Sequence, residues 1–275
     1  MSTALQIAAL APAPVTLTPN GDGQGDTAEI AFSLTADANV GADVVDTAGT
    51  LVAQAAPLRW RRAGERTITV AGQSLADGAY TLRLTAKATG GRVATTDVQL
   101  LVTRTLGRVV LDADAFTPNG DGNGDALTIT VPLAAPASVT VRILRDGKWL
   151  ATPLAGSFEA GEQLATWDGS KRLGRARDGS YTVSVESVDA VGTARTELPV
   201  LLDRTAPTVR VVSAAPLVLR VSEPATLAVR ANGARRKLTV RAAGEVRVHG
   251  IGRLRTLVVV ARDAAGNRGV LRRRP

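Results

Sequence analysis

Asp178-Gly-Ser-Tyr181-Thr-Val-Ser-Val185 decides the fold class. An Asp-Gly turn leads into a run where Tyr181, Val183 and Val185 alternate with Thr182 and Ser184. Period-two alternation over a short run marks a strand with one face buried. The same pattern runs through Val139-Thr-Val-Arg-Ile143, Thr208-Val-Arg-Val211, Leu238-Thr-Val240 and Val246-Arg-Val248. The chain holds 27 glycines and 13 prolines, and with Asn and Asp they punctuate these runs. No stretch combines a helical period with caps. The expectation is an all-β chain.

The stretch recurs. Asp77-Gly-Ala-Tyr-Thr-Leu82 precedes it at an offset of 101. Leu17-Thr-Pro-Asn-Gly-Asp-Gly-Gln-Gly-Asp26 returns as Phe116-Thr-Pro-Asn-Gly-Asp-Gly-Asn-Gly-Asp125 at an offset of 99. Ala63-Gly-Glu65 matches Ala160-Gly-Glu162, and Val102-Thr-Arg-Thr105 matches Leu202-Asp-Arg-Thr205. Four landmarks in one order define two homologous units, residues 15–105 and 106–205, with an insertion within 171–177 of the second. A third, shorter unit covers 206–275. It keeps Ala243-Gly-Glu245 and lacks the Asn-Gly-Asp-Gly loop. Residues 1–14 read as a flexible lead-in. Seven or so short strands in 70–100 residues fit an immunoglobulin-like β-sandwich. On the two Tyr-led strands the inward set is Tyr80, Leu82, Leu84 and Tyr181, Val183, Val185. Both tyrosines, set just after Asp-Gly turns, are expected to pin a strand end.

Composition narrows the function. The 275 residues include no cysteine and one histidine, His249, so disulfides, thiolate metal sites and a thiol nucleophile are excluded. Alternation places His249 outside with Arg247. No nucleophile elbow, zinc-protease helix or phosphate loop occurs. Paired carboxylates for glycoside hydrolysis stay open on sequence alone. No apolar run is long enough to span a membrane. The first 14 residues lack the charged region and apolar core of a secretion signal. The overall charge of +8 is unevenly spread. The first two units are slightly acidic. Residues 206–275 hold 15 basic and 3 acidic side chains.

Trp167-Asp-Gly169 followed by Asp178-Gly-Ser-Tyr-Thr-Val183 resembles the immunoglobulin-like repeat of flagellar hook-capping proteins and of secreted bacterial peptidase tails. The Thr-Pro-Asn-Gly-Asp-Gly-x-Gly-Asp openings resemble the start of tail domains on bacterial surface proteins. Thr205-Ala-Pro207 and Asp263-Ala-Ala-Gly-Asn267 resemble another bacterial immunoglobulin-like repeat. The first unit departs from the pattern, with Val70-Ala-Gly72 where the second has Trp167-Asp-Gly169. The resemblance implies spacer or adhesive modules, outside the cell or on its surface.

Two loops carry the sharpest chemistry. Asn20, Asp22, Gln24 and Asp26 alternate with glycines, as do Asn119, Asp121, Asn123 and Asp125. Alternate oxygen-bearing side chains in a tight loop can surround a calcium ion, which takes six to eight oxygens. The helices and the twelfth-position glutamate of an EF-hand are missing, so other groups would complete the site. Asp112 and Asp114 are extra candidates for the second loop. The competing reading is a rigid Asx/Gly turn that opens each domain.

The third unit offers a second lead. Arg235, Arg236, Lys237, Arg241, Arg253, Arg255 and Arg272, Arg273, Arg274 could grip an anionic polymer. No aromatic residue lies in 206–275, which argues against sequence-specific nucleic-acid binding. The expectation is a non-enzymatic, monomeric array of three modules. Its partner would be a cell-surface or extracellular polymer or protein, with Ca2+ stiffening the domain openings. The alternatives are anionic-polymer binding through the third unit and a hook-cap-like scaffold.

Overall fold

The computed structural model describes residues 4–11 and 13–273. Among them every regular element is a strand, as the alternation required. In the first unit β1 (Ile7–Ala9), β3 (Thr27–Leu34) and β6 (Gly64–Ala71) form one sheet, ordered β1-β3-β6. The facing sheet is ordered β2-β8-β7-β4-β5. It comprises β2 (Val15–Leu17), β4 (Ala38–Val45), β5 (Leu51–Arg61), β7 (Gly78–Lys87) and β8 (Val93–Val102). Ile7–Ala9 thus departs from the expected lead-in. Ile7 pairs with Leu34 across the open edge of β3 and is buried, because that edge would otherwise leave ladder groups and core unprotected.

The second unit repeats this plan. Its smaller sheet is β14-β11-β9, from β9 (Val110–Leu111), β11 (Leu127–Leu133) and β14 (Gly161–Trp167). Its larger sheet is β10-β16-β15-β12-β13. The strands are β10 (Ala115–Phe116), β12 (Ala137–Arg145), β13 (Lys148–Phe158), β15 (Gly179–Val188) and β16 (Thr193–Leu202). In both units a short opening strand runs parallel to the last one, β2 with β8 and β10 with β16.

The third unit is reduced. One sheet is β17-β18-β21, from β17 (Val209–Ala214), β18 (Leu217–Val221) and β21 (Gly244–Arg247). The other is β20-β19-β22-β23, from β19 (Ala225–Ala231), β20 (Ala234–Val240), β22 (Leu257–Arg262) and β23 (Arg268–Arg273). Asn232-Gly233 joins β19 to β20 with both φ angles positive, the geometry of a tight hairpin turn that matches strand twist.

Each sandwich has its own apolar cluster. Leu82, Leu84, Val183 and Val185 are fully buried, and Tyr181 nearly so, as the alternation demanded. Both tyrosines pin the chain four residues upstream. Tyr80 Oη donates to the Ala76 carbonyl at 3.0 Å and Tyr181 Oη to that of Arg177 at 2.5 Å. Trp167 is the keystone of the second core, with ring centroids of Phe116 and Tyr181 at 5.2 and 5.0 Å. Where the first unit has Val70 instead, Phe32 on the neighbouring β3 supplies the large buried ring. Accessible surface totals 15108 Å², against about 11,000 Å² for a compact single domain of this mass. The sandwiches therefore stand in series and do not share one core.

Candidate functional site

The two acidic glycine loops share one geometry. Gly21 and Gly23 N–H donate to the two carboxylate oxygens of Asp26 at 2.9 and 2.8 Å. Gly120 and Gly122 N–H do the same to Asp125 at 2.5 and 2.7 Å. Asn20 Oδ1 accepts from Asp22 N, and Asp22 Oδ1 from Gln24 N; Asn119 and Asp121 repeat the pair toward Asp121 N and Asn123 N. The backbone N–H groups hold both Asp26 and Asp125 below the ordinary carboxylate value. Gly25 is obligatory, since its φ is positive and a Cβ there would sit 2.2 Å from Thr18 Oγ1. Each loop is thus a ladder of Asx turns closed by its last aspartate. Asp112 Oδ1 accepts from Thr128 N at 2.9 Å, tying β9 to β11. Asp112, Asp114, Asp121 and Asp125 are not gathered into a three-carboxylate group.

What the loops do is face the next unit. Gln24 lies along the free edge of β16 and pairs with it as a neighbouring strand would. Its Nε2 donates to the Glu197 carbonyl at 2.9 Å, and its Oε1 accepts from Glu197 N at 2.8 Å. Asn20 Nδ2 donates to the Leu106 carbonyl. Beside them Thr103 Oγ1 donates to Asp189 Oδ2 at 2.7 Å, and Gly192 sits against Leu101. Burial pushes Asp189 up, but the hydroxyls of Thr105 and Thr103 and the N–H groups of Gly192 and Val191 outweigh it, leaving the carboxyl below its ordinary value.

The second junction uses the same parts. The hairpin turn Asp189-Ala-Val-Gly192 of the second unit has its counterpart in Asp263-Ala-Ala-Gly-Asn267 of the third. Asn267 is 1% exposed. Its Nδ2 donates to the Asp203 carbonyl at 2.8 Å and to Asp263 Oδ2 at 3.0 Å, while the buried Thr117 hydroxyl donates to its Oδ1. Gly124 of the second acidic loop faces the Ala265 carbonyl. At the exit of each repeat an arginine is fixed by the aspartate of the Asp-Gly-x-Tyr turn. Arg104 pairs with Asp77 at 2.5 Å and Arg204 with Asp178 at 2.9 Å. Two separate repeat landmarks are therefore partners in one ion pair.

The junctions differ at one position. Where the first has Thr103, the second has Asp203, which meets Asp263 and Glu223. One oxygen from each of the three lies within 4.8 Å of the others, the only such group among the described residues. Burial and the neighbouring charges of Asp263 and Asp178 hold Asp203 above its ordinary value. Burial, Asp203 and Asp263 do the same to Glu223. A carboxylate raised by folding stabilises the fold below its ordinary pKa and loses that contribution as pH rises through the raised value. These are oxygen donors of the kind a hard divalent cation takes. Sequence reading missed the group because its members lie 20 and 40 residues apart.

The cations expected to act together are dispersed. Arg235, Lys237 and Arg272 lie on the outer face of the β20-β19-β22-β23 sheet. Arg236 points to the other side of β20, Arg241 follows that strand, and Arg253 and Arg255 sit in the loop before β22. Arg273 ends β23, and Arg274 falls outside the described residues. His249 is exposed in the turn after Val248.

No family model matches the chain, and no curated protein matches it in sequence. Among solved structures it is similar to a tetra-tandem repeat from the extending region of a large adhesion protein. Identity there is 17% and the TM-score 0.27, over 98% of this chain and 72% of that one. It is also similar to a structure bearing on host cell surface retention of a 1.5-MDa bacterial ice-binding adhesin. That match has 18% identity and a TM-score of 0.27, over 98% and 95% of the two chains. No helix among the described residues is long and apolar enough to cross a membrane.

Proposed function

We propose that the chain is a non-catalytic tandem spacer of an extracellular or cell-surface bacterial protein, built from immunoglobulin-like sandwiches held in fixed succession. The observation that carries this reading is the repeated junction. In both, a polar group from one unit bonds the last hairpin turn of the next: buried Thr103 holds Asp189 at the first, and buried Thr117 and the Asp203 carbonyl hold buried Asn267 at the second. Free beads on linkers have no use for such pairing.

A divalent cation belongs to the same reading, at Asp203, Glu223 and Asp263. A cation there would cancel the repulsion that otherwise loosens the second junction near neutral pH. The test is solution scattering of the whole chain near neutral pH, with millimolar calcium or with a chelator. A spacer gives one extended particle in both, shifted slightly toward the longer and narrower form by calcium. Asp203→Asn removes the calcium response and resembles the calcium-bound form. Calcium without effect on the parent chain would end the cation part alone. A collapsed or broadly distributed particle in every condition would end the spacer reading.

A further inference from the structure

The outer face of β20-β19-β22-β23 is a cationic plate with no acid on it. Strand pairing places Arg235 directly opposite Arg230, with Arg272 two strands further along the same row. Lys237 faces Ala228 in the middle row, beside Val260 and Val270. Arg262 faces Arg268 in the third. All six cations are exposed, and among the described residues none of them is in a salt bridge. The unit's three acids serve elsewhere. Glu245 pairs with Arg220 on the opposite sheet, and Glu223 and Asp263 face Asp203.

The equivalent faces of the other units are built the other way. Arg83 on β7 faces Asp97 on β8 and bonds it at 3.1 Å. Glu186 on β15 faces Arg195 on β16; Arg195 bonds Glu197 at 2.5 Å, and Arg142 reaches Glu186. Where the repeats cross opposite charges, this face crosses arginine with arginine twice. Like charges directly opposite on a sheet destabilise it, so the face lowers its own stability until an anion covers it.

We propose that this face binds a linear, phosphate-rich polymer laid across the rows. The inference goes beyond the spacer reading and does not depend on it. Five of the six cations are arginine, whose fork matches phosphate oxygens. Neighbouring strands stand about 4.8 Å apart and alternate residues about 6.7 Å, so cations recur at roughly the repeat of an extended polyanion. The third unit has no aromatic side chain on which a sugar or base ring could stack. Recognition must then come from the anions themselves. A membrane surface is disfavoured because no Trp or Tyr rims the face at headgroup depth.

The test titrates the whole chain with long-chain inorganic polyphosphate, with triphosphate, and with phosphatidylglycerol vesicles, across a salt series. Long polyphosphate binds, and the logarithmic salt slope reports about one released counterion per engaged cation. Arg230→Gln with Arg235→Gln weakens binding tenfold or more and lowers that slope by about two. Arg230→Lys with Arg235→Lys keeps the slope, since the charge is kept, and loses only the part of the affinity that the guanidinium fork supplies. Arg210→Gln with Arg247→Gln, both exposed on the opposite sheet, leaves binding unchanged. Because the Gln pair removes a like-charge contact, its third unit melts no lower than the parent's. Four results overturn the proposal: equal binding by parent and Gln pair, equal loss in the off-face pair, triphosphate binding as tightly as the long chain, or vesicles held at salt concentrations that release polyphosphate.

Discussion

Trp167→Ala lowers the stability of the second unit by about 3–5 kcal/mol. The indole is 2% exposed and lies against Phe116 from the opening strand and Tyr181 from β15. Its Nε1 also donates to the Ser170 carbonyl at 2.7 Å, which holds the loop that the first unit lacks. Truncation leaves a cavity between the two sheets and frees that carbonyl. For a unit of about 100 residues each kcal/mol moves the midpoint by roughly 4–8 °C, so the transition falls by tens of degrees. Differential scanning calorimetry of the whole chain should show one component shifted this far. A shift of only a few degrees would mean that Trp167 does not key the core.

The second large effect falls on a polar residue. Asn267→Ala removes the group that satisfies the Asp203 carbonyl, the Thr117 hydroxyl and part of Asp263, all at the junction. Leaving buried partners unsatisfied costs about 1–3 kcal/mol. Because these partners belong to the second unit as well as the third, the cost appears as lost coupling. The third unit melts on the order of 10 °C lower, while the second keeps its midpoint. If both midpoints stay where they were, Asn267 serves its own turn and not the junction.

The strands were legible because period two is local. Tyr181, Val183 and Val185 share the core face, and Thr182 and Ser184 take the other one, where Ser184 is covered by Arg195, whose Nε donates to its hydroxyl. The tyrosine anchors were legible too, since Asp-Gly fixes where each strand begins. The junctions were not. In sequence Gln24 is one more oxygen donor in a loop, yet its amide closes the edge of β16, a contact fixed only when two units meet. A signal was present in Asp189-Ala-Val-Gly192 and Asp263-Ala-Ala-Gly266, two matching turns on equivalent hairpins.

The acidic loops show a limit of a different kind. Alternate oxygens along a sequence do not establish where those oxygens point: Asn20, Asp22, Asn119 and Asp121 bond the N–H groups two residues ahead, while Asp26 and Asp125 bond those behind them. The cationic face shows a third. Arg235, Arg236 and Lys237 are adjacent in sequence, but a strand sends neighbours to opposite sides. Arg230, Arg262 and Arg268 complete the face from three other strands, and register alone brings them together.

Residual dipolar couplings measured on the deuterated whole chain test the fixed succession of units most directly. The expected result is that couplings from residues 15–105, 106–205 and 206–273 fit one alignment tensor, with one magnitude and one orientation. Three tensors of clearly different magnitude would show units that reorient freely, and the junctions described above would not hold in solution.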